Sequence, residues 1–138
     1  MIKRLSNPNP TYPNWLIIVR ISTGIIIANY GLEVFSRGHM NGNVQWLTDI
    51  HFPLPFIMAY IGKGIELAGG IFLILGLLTR LWCIAMIADM IVIIFIMGHG
   101  KIFGDEQLPF LLMLLFIVFA INGAGKWSMD KMIFTRRD

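Results

Sequence analysis

The chain has 138 residues, of which 57% are hydrophobic and only 14% are charged, and its mean hydropathy is +0.73. A soluble domain of this size is far less apolar, so the composition indicates an integral membrane protein. The net charge of +3 and the pI near 9.3 do not indicate nucleic-acid binding, because the basic residues lie at the ends of apolar segments, where they set membrane orientation.

Four apolar runs predict an all-α fold, a transmembrane antiparallel four-helix bundle that occupies residues 1–138 as a single domain. The predicted spans cover about residues 15–35, 54–78, 82–97 and 108–122, with an outer loop at 36–53 and a tail at 124–138. One side carries seven basic residues (Lys3, Arg4, Arg80, Lys126, Lys131, Arg136 and Arg137), and the other carries Arg37 and Lys101. The positive-inside rule therefore predicts that both termini and the tail are cytoplasmic, as for a protein of a bacterial cytoplasmic membrane.

The first span carries charge at both ends. Arg20 lies about 8 Å below its cytoplasmic end, an expensive depth for a guanidinium. It is interpreted either as part of a fixed internal ion pair or as a ligand-binding group. Tyr30 and Glu33 make the outer end polar, and Glu33 is either a solvated helix end or part of a site.

The segment from Ser36 to Pro55 is predicted to be a long outer loop. Its first half is glycine-rich, and in its second half Trp46, Leu47 and Ile50 would share one face of a short helix in the membrane interface. This segment either anchors the outer ends of the first two spans or forms a lid over a cavity.

The second span contains Lys63 and Glu66, three residues apart on one helical face near its middle. A charged side chain at the bilayer centre costs about 2.5–3.5 kcal/mol, so both groups are predicted to point into the protein. We expect Arg20 to pair with Glu66, with Asp89 of the third span as its second acceptor. A polar cavity is expected between Glu33, Tyr60, Lys63 and His99.

The fourth span is uncharged and predicted to supply packing surface, and Ser128 is predicted to cap a short surface helix after it. The three histidines have no metal-binding spacing, so no metal site is predicted. No catalytic residue is assigned. The candidate ligand-binding residues are Arg20, Tyr30, Glu33, Tyr60, Lys63, Glu66, Asp89 and His99.

Four groups of residues follow one another along the chain: Arg20, Gly24, Tyr30 and Gly31; Glu66, Gly69, Gly70, Gly76, Thr79 and Arg80; His99, Phe103, Gly104, Asp105 and Glu106; and Gly123, Gly125, Lys126, Trp127, Ser128, Met129 and Asp130. In their order and spacing they resemble the DoxX family of small four-helix membrane proteins, and the likeness runs from about Arg20 to Asp130. The family commonly has a lysine shortly after the glycine of the first span, where this chain has Glu33, while Lys63 appears in the second span.

The resemblance implies two alternative functions. In the first, the protein is an accessory or docking subunit, without catalytic activity of its own, that recruits or stabilises a partner such as an oxidoreductase. In the second, the buried cluster binds a quinone or a lipid headgroup and a carboxylate relays protons. The predicted spans lack histidine and the chain has one cysteine, so a bis-histidine haem and a four-thiolate cluster are not expected. Membrane lipids and another membrane protein are the expected partners, and a homo-oligomer remains open.

Overall fold

The structure is a computed structural model that describes residues 15–125 and 127–134, and within these residues it contains only helices and turns. The helices are α1 (Leu16–Gly31), α2 (Arg37–Asp49), α3 (Pro55–Leu75), α4 (Thr79–Ile91), α5 (Gln107–Asn122) and α6 (Met129–Phe134). A 3-10 turn, Leu32–Phe35, extends α1, and a π-helical segment, Val92–Met97, extends α4.

Three helical segments are long and apolar enough to cross a membrane, which confirms the prediction of an all-α membrane protein. They are Leu16–Phe35, Pro55–Leu75 and Thr79–Met97. The fourth apolar run also forms a helix, α5, but at 16 residues it is only about 24 Å long. That length is less than the roughly 30 Å of a hydrocarbon core.

The predicted outer loop is instead mostly a helix. Residues Arg37–Asp49 form α2, which includes the glycine-rich first half of the segment, where no helix was predicted. Each glycine costs a helix about 1 kcal/mol relative to alanine, whereas burying an apolar side chain contributes roughly 1.5–3 kcal/mol. Met40 and Leu47, 1% and 5% exposed, pack in a cluster with Ala59 of α3. Their burial offsets the glycine penalty.

Close packing between α1 and α3 depends on glycines. A Cβ at Gly31 would lie 2.3 Å from the Leu67 backbone nitrogen, and one at Gly70 would lie 2.6 Å from the Ala28 backbone nitrogen. A Cβ at Gly24 would meet the Gly70 carbonyl oxygen at 2.9 Å. These contacts form what we call the glycine seam, in which small residues let two helix backbones approach. The seam fixes the vertical register of α1 against α3.

The end of the chain folds back over the turn between α3 and α4. Asp130 accepts hydrogen bonds from the backbone nitrogens of Leu78 (2.6 Å) and Thr79 (3.1 Å), and its own backbone nitrogen donates to the Gly76 carbonyl at 2.9 Å. Ser128 accepts a hydrogen bond from the Lys131 backbone nitrogen at 3.3 Å, so its predicted capping role is confirmed. Asp130 thereby satisfies amide groups at the start of α4 that have no partner within the helix.

Arg20 is 2% exposed and donates hydrogen bonds to the carbonyl oxygens of Ala124 and Trp127. The predicted pairing of Arg20 with Glu66, or with Asp89, was wrong. The register of the glycine seam places the guanidinium beside Gly76, ten residues after Glu66, which is about 15 Å along the helix. An arginine side chain does not cross that distance.

Candidate functional site

A cavity of about 550 Å³ lies between the halves of the long helices that adjoin α2, and α2 closes it on one side. This volume falls within the roughly 300–1,000 Å³ that is typical of small-molecule sites. Most lining residues are apolar, among them Ile27, Leu47, Ile65, Met90 and Leu112. The polar lining residues with ionisable or amide side chains are Tyr30, Glu33, Asn43, Lys63, Glu66, Asp89 and Asp105.

Tyr30, Glu33, Lys63, Glu66 and Asp89 form the polar wall of the cavity, and Lys63 is at its centre. Its ammonium lies 2.8 Å from Glu66 Oε2 and 3.0 Å from Glu33 Oε2, and it donates to the Tyr30 carbonyl at 3.5 Å. The same ammonium lies 5.9 Å from the centroid of the Tyr30 ring, within range of a cation–π contact. All three N–H groups of the ammonium thus have acceptors from the protein itself.

The helix geometry explains how this group assembles. Lys63 and Glu66 are three residues apart on α3, so their side chains lie on the same face. The contact of Gly31 with Leu67 brings the 3-10 turn after α1 against the same stretch, which places Glu33 beside Lys63. Lys63 therefore extends toward Glu33, and Glu33 is more than a solvated helix end.

Asp89 approaches the same wall from α4. A Cβ at Gly62 would lie 3.0 Å from Asp89 Oδ1, so the glycine allows the carboxyl group to sit against α3. Asp89 Oδ2 is buried, and within the described part of the chain it has no hydrogen-bond partner. A buried polar atom without a partner costs about 1–3 kcal/mol, which makes this oxygen the least satisfied atom of the wall.

The charges of the wall are unequal. Three carboxyl groups, those of Glu33, Glu66 and Asp89, surround the single ammonium of Lys63. Two of them contact the lysine directly, and Asp89 does not. The arrangement can therefore hold a proton, or accept a hydrogen bond from a ligand, at a carboxyl oxygen that faces the cavity.

The outer rim of the cavity carries another acidic pair, Asp105 and Glu106, just before α5. Asp105 lines the cavity and is exposed, whereas Glu106 is 7% exposed and packs over Gly98. Burial, with a smaller contribution from the neighbouring Asp105 charge, raises the pKa of the Glu106 carboxyl above its ordinary value.

Three predicted site residues lie elsewhere. Arg20 belongs to the opposite end of α1, as described above. Tyr60 faces outward and packs on Phe56 with ring centroids 4.9 Å apart, and His99 lies in an exposed turn. Neither Tyr60 nor His99 lines the cavity, whereas Tyr30, Glu33, Lys63, Glu66 and Asp89 do. Among the described residues, no group of three His, Cys, Asp or Glu side chains could hold a metal ion.

Sequence reasoning missed the contribution of α2. Asn43 and Trp46 line the cavity from this helix, together with the buried Leu47. The amphipathic pattern around Trp46 was visible in the sequence. The glycines before it have low helix propensity, so the sequence did not predict that the helix extends back to include Asn43. The π-helical segment was also unexpected. It follows Asp89 closely, and its residues Val92, Ile93 and Met97 line the cavity, in keeping with the frequent occurrence of π segments at functional sites.

The cavity also reaches the lipid-facing side between α3 and α4. Ile61 and Ala88 line it and are themselves exposed on the outer surface of these helices. Ala88 has the smallest side chain that is both exposed and part of the lining. The lining thus extends to an exposed residue that is next to Asp89 in the chain.

Comparison with known proteins identifies the family. The DoxX family model matches residues 15–99, which include α1 to α4 together with Glu33, Lys63, Glu66 and Asp89. The chain belongs to the DoxX family. A relative from Bacillus subtilis, named "Putative oxidoreductase CatD", is 31% identical to this DoxX protein over 127 residues, covering 91% of this chain and 92% of the relative.

A second relative, from Mycobacterium tuberculosis, is named "Uncharacterized membrane protein Rv3486". It is 25% identical to this DoxX protein over 140 aligned positions, which cover 90% of this chain and 84% of the relative. No solved structure gives a significant match. The family and the membrane character therefore stand on sequence relatives and on the three span-length helices.

Proposed function

We propose that this DoxX protein is a membrane subunit that binds the head of a quinone-type carrier in its cavity and serves an oxidoreductase partner. The observation that carries the proposal is the cavity of about 550 Å³. Most of its lining is apolar, and its polar groups lie together on one side, where the ion pairs of Lys63 with Glu33 and Glu66 adjoin Asp89. A ligand that fits such a site has an apolar body and a small polar head.

The charge of the wall favours a quinone over a phospholipid headgroup. A phosphate is anionic and would face the carboxyl groups of Glu33, Glu66 and Asp89. Lys63, the only cation among the described residues that line the cavity, already has three acceptors. A quinone ring is uncharged, and its oxygens require only hydrogen bonds. The ring could enter from the lipid between Ile61 and Ala88.

The partner is proposed for a chemical reason. The apolar runs of the chain contain no histidine, and the single cysteine, Cys83, is buried, so the electrons that reduce or oxidise the ring would come from another protein. Similarity to a relative whose name includes "oxidoreductase" supports the proposal of an oxidoreductase partner. In this proposal the docking role and the ligand-binding role belong to one subunit.

Replacing Ala88 with phenylalanine is expected to weaken binding of a short-tailed benzoquinone at least tenfold, because the ring would fill the gap that leads to Asp89. Binding to protein in lipid nanodiscs can be measured by calorimetry and by quenching of Trp46, which lines the cavity, with Trp46→Phe identifying the signal. Ile84→Phe is the matched control, since Ile84 is exposed on the same helix and outside the lining. Absence of saturable binding to the parent protein would refute the proposed function.

We also propose that α5 completes an antiparallel bundle of four spans, with both termini cytoplasmic. The support is the apolar sequence of α5 and the distribution of basic residues. Single cysteines at Ser6 and Asn43, in a Cys83→Ser background, are expected to react with an impermeant thiol reagent from opposite sides of the membrane. Reaction of both from the same side would contradict this topology.

A further inference from the structure

We propose that Asp89, rather than the more deeply buried Glu66, is the carboxyl group that meets the ligand, and that its proton distinguishes the oxidised from the reduced ring. The inference rests on the proposed function, because it identifies the working residue of that site. It concerns binding equilibria and requires no electron transfer.

Glu66 is engaged within the protein. Its Oε2 atom is 2.8 Å from the Lys63 ammonium, and the side chain is only 5% exposed. A ligand that hydrogen-bonded to this carboxylate oxygen would have to displace Lys63 and so break an ion pair inside the membrane. Glu33 is held in the same way, at 3.0 Å.

Asp89 has the opposite character. It lines the cavity, and its Oδ2 atom is buried without a hydrogen-bond partner within the described residues. No apolar neighbour can satisfy this oxygen, so a ligand that hydrogen-bonds to it relieves a penalty that the protein already carries. A site with such an unpaired group discriminates strongly between ligands that do and do not complement it.

The carboxyl group can complement both states of a quinone ring, but in different protonation states. Protonated Asp89 donates its O–H to a quinone carbonyl, and ionised Asp89 accepts a hydrogen bond from a quinol hydroxyl. Quinone binding is then linked to the protonated form and quinol binding to the ionised form. The ratio of quinone affinity to quinol affinity should therefore fall as pH rises, by up to about tenfold per pH unit.

Other titratable groups face the same space. From α3 these are Lys63 and Glu66, from the end of α1 and its 3-10 turn Tyr30 and Glu33, and from the segment before α5 Asp105. Lys63, Glu66 and Glu33 are joined in ion pairs, and Asp105 lies at the exposed rim. The helix α2 contributes Asn43 and Trp46, which do not titrate in the working range.

The test measures the affinities of one short-tailed benzoquinone and of its two-electron-reduced quinol under anaerobic conditions. The pH is varied over the range in which the quinol itself does not ionise. We expect the affinity ratio of the parent protein to fall with pH as described. Asp89→Asn should bind both forms with a ratio that no longer changes with pH, because an amide can donate and accept but cannot titrate. Asp49→Asn, on the exposed face of α2, is the control and should retain the slope.

The outcomes separate the two proposals. If the parent protein binds both forms with a constant ratio, the role of Asp89 is refuted and the proposed function stands. If Asp89→Asn keeps the pH slope, another group is responsible and the inference is equally refuted. If the parent protein binds neither form, the proposed function fails. Because Asp89 Oδ2 makes no hydrogen bond within the described chain, Asp89→Asn is expected to fold with an unchanged melting temperature, which verifies the variant.

Discussion

Replacing Lys63 with methionine is expected to lower the free energy of unfolding by about 3–5 kcal/mol, the range for breaking a buried ion pair by removing one partner. The substitution leaves the carboxyl groups of Glu33 and Glu66 facing each other without the ammonium that now lies 3.0 Å and 2.8 Å from them. Glu66 is the costlier of the two, because its side chain is 5% exposed against 29% for Glu33. Thermal or denaturant unfolding of the purified protein in a defined detergent measures the effect.

Two further variants show whether the loss comes from unpaired charge. The triple variant Glu33→Gln, Lys63→Met, Glu66→Gln should recover most of the stability, because it removes the whole ion-pair group instead of one partner. Lys101→Met, at an exposed lysine, should change the unfolding free energy by no more than about 0.5 kcal/mol. If Lys63→Met is as stable as the parent, or the triple variant is no better than the single one, the cluster is not held together as described.

Replacing Gly31 with alanine is expected to destabilise the protein by about 3 kcal/mol, the upper end of the range for overpacking. The new Cβ would lie 2.3 Å from the backbone nitrogen and 2.4 Å from the Cα of Leu67, and a backbone cannot move aside as a flexible side chain can. The helices α1 and α3 would have to separate. Because Glu33 reaches Lys63 only through this contact, ligand binding should weaken together with stability.

Gly64→Ala is the matched control for this prediction. Gly64 lies on α3 as well, but nothing stands within 4 Å of the position that its Cβ would occupy. Alanine there should stabilise the helix by about 0.5–1 kcal/mol, since it restricts the unfolded chain without a clash. Equal effects of Gly31→Ala and Gly64→Ala on the melting temperature would show that the glycine seam is not a close contact.

The sequence was sufficient for the long helices because a span-length apolar run has few alternatives in a membrane. The backbone must satisfy its own hydrogen bonds, so Leu16–Phe35, Pro55–Leu75 and Thr79–Met97 follow from hydropathy. The sequence also indicated that Lys63 and Glu66 share one helical face and point into the protein, although it assigned Glu66 to Arg20 instead of Lys63. Two charges three residues apart in such a run share one helical face and require partners nearby.

The two wrong predictions, the partner of Arg20 and the loop at α2, depend on the register between helices and on burial that offsets low helix propensity. Hydropathy carries no information on either. The position of Arg20 depends on which glycines of α1 meet which residues of α3, and a shift of a few residues moves a side chain by several ångströms. The helix α2 depends on burial of Met40 and Leu47 against α3, which outweighs the low helix propensity of Gly38 and Gly42. Both are properties of packed surfaces, and neither can be read from one segment alone.

The placement of Arg20 has a consequence for biosynthesis. Its hydrogen-bond acceptors, the carbonyls of Ala124 and Trp127, follow it by 104 and 107 residues. Newly made α1 therefore enters the membrane before these two acceptors of its guanidinium have been translated. The glycine seam, by contrast, needs only α1 and α3, so this helix pair can form when little more than half of the chain has emerged. The segment that follows α5 thus reaches the buried arginine of α1 only after the pair of α1 and α3 can already have formed.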